Sequence, residues 1–352
     1  MIKVLYPMHL DRWTNPIASK HREIVNRNQD KNLCFYSFTS PLTKEDSIFS
    51  KELWTNIYLR QITKKDLFIN SFDIIHHSSA TYSNLLAVYI AKLKSLMKAV
   101  HIFTASTQID RNNSFFKHFI FSIYNADYII ANSKAVADSI IKNFGKKIYD
   151  IIPNGVDEKF FSMERANSKI LKDLDIKKPY VIFISGIWHR KRPDLFINLA
   201  NFFPNISFIM VGTYTKYVID LLKNAPQNVR YLGLVNKSTT RDLLAYSEAL
   251  LFPSEIEGLP NAVLEAMVMG IPVIAQRKSS LPELIVEDKT GWLTRGDSIK
   301  DWENRLKEIL NFSSNRRKLF SSQARSYTIS NFSWDLYSKK HATIYRQLAK
   351  NL

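Results

Sequence analysis

The sequence predicts an α/β protein made of two doubly wound parallel sheets. Three observations carry that prediction. Short apolar runs alternate with helix-period segments through both halves of the chain, the pattern of consecutive βαβ units. The alternation breaks once, at Ile151-Ile-Pro-Asn-Gly-Val-Asp157, where proline and Asn-Gly mark a turn. The chain also has 352 residues, the length of two domains that can each bury a core.

In the first half the expected strands are Lys3–Tyr6, Leu33–Phe38, Asp73–His76, Ala99–Thr104 and Asp127–Ala131. Ser133 precedes a helical segment, Lys134–Phe144, and can cap it. A domain boundary is placed near Asp157, which implies a cleft where substrates are enclosed and released. In the second half strands are expected at Tyr180–Ser185, Ser207–Val211, Val229–Leu232, Ala249–Phe252, Val273–Ala275 and Gly291–Thr294. Gly212 and Gly233 directly end two of these, where a ligand or another backbone can approach closely; a plain turn is the other reading. The segment Leu336–Leu352 is helical in pattern.

The stretch Ala249–Gln276 organises the rest. An apolar strand leads into a polar turn, Pro253–Pro260; a helix-period segment, Asn261–Met269, follows and stops at Gly270 and Pro272 before the next strand. Glu257 lies in the turn and Glu265 about one turn into the helix. Both carboxylates therefore belong to the carboxyl end of a strand, where open α/β sheets hold ligands. The helix start offers unpaired N–H groups and the positive end of its dipole. An anion flanked by two hydroxyl-binding acids describes a sugar joined to a nucleoside diphosphate. Taken singly, Glu265 equally fits an acid that complements the helix dipole.

A second cluster, Ser185-Gly-Ile-Trp-His-Arg-Lys-Arg-Pro193, joins a strand to a helix and carries cations suited to a pyrophosphate. Read alone it is also a solvated basic turn. Ser280-Leu-Pro-Glu283 has capping-box spacing. Asp173-Leu-Asp175 reads as a solvated turn, so no metal or other cofactor is expected, and cations with a helix N-terminus neutralise the diphosphate instead. His76, His77 and His101 lie in or end apolar strands, which fits a structural role or a catalytic one. Asp11, Arg12 and Asn15 fall in the first βα loop.

Lys and Arg exceed Asp and Glu by 17, with 20 basic and 12 acidic residues up to Ile152 and 29 and 20 after it. An excess spread over both halves, without a basic tail or nucleic-acid motif, points to phosphorylated small molecules or an anionic membrane rather than nucleic acid. One cysteine, Cys34, excludes an internal disulfide. The start MIKVLYPM enters a strand without a leader sequence, and no apolar run reaches the roughly 18 residues that span a bilayer. A cytoplasmic protein is expected. Ser83–Lys98 and Ser114–Tyr124 mix apolar and aromatic residues with Lys, compatible with a membrane-facing surface or with burial against the sheet.

Glu257-x7-Glu265, with Gly258 after the first acid and Glu-Ala-Met at the second, resembles the signature of family 4 glycosyltransferases, retaining enzymes of the GT-B fold that build bacterial surface polysaccharides. The resemblance implies an acceptor-binding domain at 1–157, a nucleotide-sugar domain at 158–335 and a last helix, 336–352, that follows Phe332-Ser-Trp334 and crosses back. It implies that Glu257 contacts the transferred sugar and Glu265 the ribose. Gly186, Gly233, Gly258, Leu259 and Asn261 would line the donor. Lys191 matches the lysine of the family's diphosphate clamp, and Arg190 would replace its arginine, since Ile187 or Trp188 stands where that residue is expected. Gly258-Leu259-Pro260 departs from the usual Gly-Phe-Gly. The first domain has Phe103 and Thr104 where relatives carry a histidine, which leaves His76, Thr104 and Asn15 as acceptor contacts.

The implied reaction moves a hexosyl group from a nucleotide sugar, with UDP favoured over GDP, to a hydroxyl of a lipid-linked glycan, with the anomeric configuration kept. A sugar-nucleotide epimerase of similar fold and a non-catalytic nucleotide-sugar-binding protein are the competing readings.

Overall fold

The apolar runs of the first half form a seven-stranded parallel sheet in the computed structural model, which describes residues 1–9, 16–38, 59–78, 82–108, 116–213 and 215–350. Its strands are β1 (Ile2–His9), β2 (Leu33–Phe38), β3 (Leu59–Ile62), β4 (Ile74–His77), β5 (Val100–Ala105), β6 (Tyr128–Ala131) and β7 (Asp150–Ile151), in the order β3-β2-β1-β4-β5-β6-β7. Every side chain of β2 and β4 is buried, as a sheet covered on both faces requires. β3 and β7 are not among the strands expected from the sequence. Both lie at sheet edges and are largely exposed, so neither presents an apolar run.

The second half forms a six-stranded parallel sheet of β8 (Tyr180–Ile184), β9 (Ser207–Val211), β10 (Val229–Tyr231), β11 (Leu250–Phe252), β12 (Val273–Gln276) and β13 (Trp292–Thr294), ordered β10-β9-β8-β11-β12-β13. The order reverses between β8 and β11, so the helices after these two strands lie on opposite faces of the sheet and leave a crevice at the strands' carboxyl ends. One face of this sheet packs Ile182, Ile209, Leu250 and Val273 against Val263 and Met267 of the helix Asn261–Val268. The other packs Val181, Phe208, Leu251 and Ile274 against Phe196, Trp302 and Phe320.

The chain divides into one unit of Met1–Gly155 with Trp334–Leu352 and another of Val156–Ser333. The first unit thus closes two residues before Asp157, and the final helix, Trp334–Ala349, starts two residues earlier than its pattern indicated. That helix belongs to the first unit because its apolar side is spent there: Trp334, Tyr337, Ile344, Tyr345 and Leu348 share a core with Val4, Tyr6, Phe35 and Ile74. At the turn, a side chain on Gly155 would meet the backbone N of Trp334 at 2.5 Å, so only glycine lets these segments touch. Ser133 Oγ accepts from the N–H of Val136 at 3.2 Å, and Gly145, at φ 63°, ends that helix. Ser280 makes no side-chain cap; its buried hydroxyl has no hydrogen-bond partner, so the capping box expected there does not form.

Candidate active site

The loop after β8 and the loop after β11 meet where the strand order reverses. After β8, residues His189–Lys191 make a single 3-10 turn, and Arg192 takes left-handed geometry before the helix Pro193–Ala200. A three-residue turn points successive side chains about 120° apart. Lys191 accordingly turns inward and Arg190 outward. Lys191 is 8% exposed and its ammonium donates to Glu257 Oε1. The backbone N–H of Glu255 donates to the Arg190 carbonyl at 2.9 Å, so the two loops are tied by main chain as well as by charge.

Glu257 is held from behind. Its N–H donates to Ser279 Oγ at 2.8 Å, and the same hydroxyl donates to the Glu257 carbonyl at 2.7 Å. Burial pushes the Lys191 ammonium below the usual lysine range, and the Glu257 carboxylate opposes that shift. Phe252, the last residue of β11, lies under the Lys191 ammonium with its ring centre 5.8 Å away.

In front of the pair lies a pocket of about 300 Å³. Four of the expected site residues line it: Gly186, Lys191, Glu257 and Asn261. The helix Asn261–Val268 opens onto it with Asn261 and Ala262. Pro260 is the cap of that helix, so its missing N–H removes none of the first-turn donors. Gly186 leaves room for the Trp188 indole, whose Nε1 would stand 2.7 Å from an added Cβ. Gly212 lets β8 and β9 close up, because a Cβ there would lie 1.8 Å from the Ser185 carbonyl oxygen.

Other expected residues stand elsewhere. Arg190, proposed to replace the clamp arginine, is exposed and donates to the Ile256 carbonyl at 3.3 Å; it does not line the pocket. Ile187 is buried in the core, and Trp188 is exposed. Leu259 also packs in the core, and Gly258 is buried without lining the pocket. Gly233 is one residue short of the lining, which Leu234 and Val235 supply. Glu265 sits four residues beyond Asn261 on the same helix face, about 6 Å along the axis. It is half-buried and outside the pocket lining; burial raises its carboxyl above the usual range while Lys237 pulls it down. Asp173 and Asp175 are exposed. Thr213 and Thr240 line the pocket and were missed in sequence, since isolated threonines carry no pattern.

In the first unit His76 and Thr104, expected to meet the acceptor, are buried and bonded to each other, His76 Nε2 to Thr104 Oγ1 at 2.7 Å. His76 Nδ1 pairs with Tyr345 OH at 2.6 Å, and Tyr345 OH with Tyr6 OH at 2.9 Å. His101 and His77 bond each other at 2.9 Å. His76 is spent in this way because the final helix brings Tyr345 down onto β1 and β4, while His77 is held on the other face of the sheet by His101 and by Ser122 at 3.2 Å. Asn15, with Asp11 and Arg12, lies outside the described residues.

Two family profiles match the chain, Glycosyl transferases group 1 over residues 166–327 and Glycosyltransferase Family 4 over residues 21–160. An uncharacterized 41.2 kDa protein in the cps region of Klebsiella pneumoniae is 28% identical over 268 residues, 70% of each chain. The Escherichia coli UDP-Gal:alpha-D-GlcNAc-diphosphoundecaprenol alpha-1,3-galactosyltransferase is 26% identical over 74% of this chain and 70% of its own. Among solved structures, Anabaena HepE in complex with UDP and glucose superposes with a TM-score of 0.77 at 16% identity, covering 99% of this chain and 100% of that one. That likeness shows the GT-B fold, two Rossmann-like α/β domains.

Proposed function

Because this chain belongs to glycosyltransferase family 4 and is a transferase, we propose that it moves a hexosyl group from a UDP-sugar to a hydroxyl of a lipid-linked glycan, keeping the anomeric configuration. The observation that carries this reading is the Lys191–Glu257 pair facing a pocket that a helix N-terminus also enters. In it Glu257 orients the sugar hydroxyls. Lys191 has three donors, one of them on Glu257, and offers charge to the departing diphosphate beside the first-turn N–H groups. No metal is needed for that neutralisation. Glu265, one turn deeper, takes the ribose, and the loop of Leu234 and Val235 takes the base. The bond from the anomeric carbon to the diphosphate oxygen breaks, a bond to the acceptor oxygen forms, and the acceptor proton leaves with the nucleoside diphosphate.

The substrates for which relatives are named support the finer choices. HepE was crystallised with UDP and glucose, and the E. coli relative is named for UDP-Gal and a diphosphoundecaprenol acceptor. The outward turn of Arg190 favours one rival, a protein that binds nucleotide sugars without transfer. Incubation with UDP-glucose, UDP-galactose, their N-acetyl forms and GDP-mannose distinguishes the readings. Slow hydrolysis of one UDP-sugar, and transfer to a sugar-diphosphate lipid with NMR showing the donor's anomeric configuration, is the expected result. Interconversion of a sugar nucleotide without acceptor would instead indicate an epimerase, and tight nucleotide binding without any turnover a non-catalytic protein.

A further inference from the structure

The helix Tyr82–Lys94 of the first unit buries Ala87, Val88 and Ala91 and leaves Leu86, Tyr89 and Leu93 49–60% exposed. These three recur at i, i+3 and i+7, so they form one stripe on the solvent side. A helix whose outward stripe is as apolar as its inward one is not built for water alone.

The stripe continues past the helix end in an unusual way. Leu96 and Met97 both take left-handed backbone geometry, at φ 51° and 60°, where a side chain costs roughly 1 kcal/mol or more per residue. The geometry is fixed by the N–H of Met97 donating to the Lys92 carbonyl at 2.8 Å and that of Leu96 to Leu93 at 3.0 Å. The effect is to hold Leu96 79% and Met97 57% exposed. Glycine at either position would relieve the strain. The chain instead places its apolar side chains on the tip.

Charge selects the occupant. From Ile74 to Ile109 there is no Asp or Glu, and Lys94 and Lys98 are exposed beside the stripe. Lys92 is held by Asp127 at 2.8 Å and contributes less. Apolar side chains interspersed with lysines, with a tyrosine among them, are the composition of a surface that sinks into the boundary between headgroups and acyl chains. An interface between two copies of this chain would set those lysines against each other.

We propose that Leu86, Tyr89, Leu93, Leu96 and Met97, with Lys94 and Lys98, form a docking surface for an anionic lipid bilayer. The surface goes beyond the transfer reaction and is tested without substrates. Cosedimentation of the full chain with vesicles of phosphatidylcholine, with and without phosphatidylglycerol, should show binding that requires the anionic lipid and weakens as salt rises. The exposed double substitution Leu93→Glu/Leu96→Glu should lower partitioning at least tenfold, and Lys94→Glu/Lys98→Glu should abolish the preference for phosphatidylglycerol. Both variants should keep the melting temperature and the UDP affinity of the parent. Equal binding of parent and Leu93→Glu/Leu96→Glu overturns the proposal. So does failure of the parent to bind anionic vesicles, whether or not sedimentation shows a dimer that these substitutions dissociate.

Discussion

The two units share a strand order about their central strands, β2-β1-β4 in one and β9-β8-β11 in the other, yet they use polar strand-end residues in opposite ways. Beyond β11 the chain runs through an eight-residue loop before its helix, and the carboxylate of Glu257 faces a pocket with Lys191. On β4, His76 and His77 are fully buried and bonded to Tyr345, Thr104, His101 and Ser122. The final helix makes the difference for His76, since it lays His341 and Tyr345 over that ring. His77 points to the opposite face of the sheet and is covered by Ser122 of the helix Phe116–Asn125 and by His101. A polar residue at a strand end is thus a candidate for chemistry only when no later element covers it.

The contrast breaks first at Glu257. In Glu257→Ala, kcat/KM for transfer should fall about 1,000-fold, about 4 kcal/mol of transition-state stabilisation at ~1.36 kcal/mol per tenfold. The melting temperature should move by only a few degrees, because the pocket lets water reach the ammonium that loses its partner. A kinetic loss matched by an equal loss of stability would make the pair structural, like the histidines of the other unit.

Acid should separate the units next. Burial lowers the basicity of the five histidines that are buried among the described residues, with His101 and His341 brought down to about 4 and His21, His76 and His77 also well below the ordinary value. The folded state therefore keeps these rings neutral where the unfolded chain binds protons. The stability they confer is complete above about pH 6.5 and falls as pH drops toward about 4. At ~1.36 kcal/mol per pKa unit, His101 and His341 alone represent about 3 kcal/mol each across that window. The second unit has one histidine, the exposed His189. Hydrogen exchange at pH 7 and pH 5 should show β1, β4 and β5 losing protection while β8, β11 and β12 keep theirs. Parallel loss in both sheets would mean that the histidines do not set the acid limit.

The same contrast explains what could be read in the sequence. The strands of both sheet centres were legible because burial on two faces leaves continuous apolar runs, as in Leu33–Phe38 and Ser207–Val211. Glu257, Lys191 and Asn261 were legible because strand, turn and helix start are local features that place them together. The outward direction of Arg190 is not legible in the sequence, because adjacent residues in a 3-10 turn face apart, which depends on backbone geometry that composition does not encode. The burial of His76 and Thr104 is not legible in the sequence, because His76, which bonds Thr104, finds its other partner in Tyr345, 269 residues away in the chain. The helices Ile299–Leu310 and Ser314–Phe332 are not among the elements expected from sequence, the second because its apolar positions are few and dispersed among charged and hydroxyl residues.

The pocket before Lys191 is the proposed seat of a nucleoside diphosphate, and calorimetric titration of UDP into the parent chain and Lys191→Met tests this most directly. The dissociation constant should rise about 100-fold in the variant, about 2.7 kcal/mol, with its circular dichroism unchanged. UDP binding of equal strength in both proteins would place the nucleotide elsewhere and contradict the assignment.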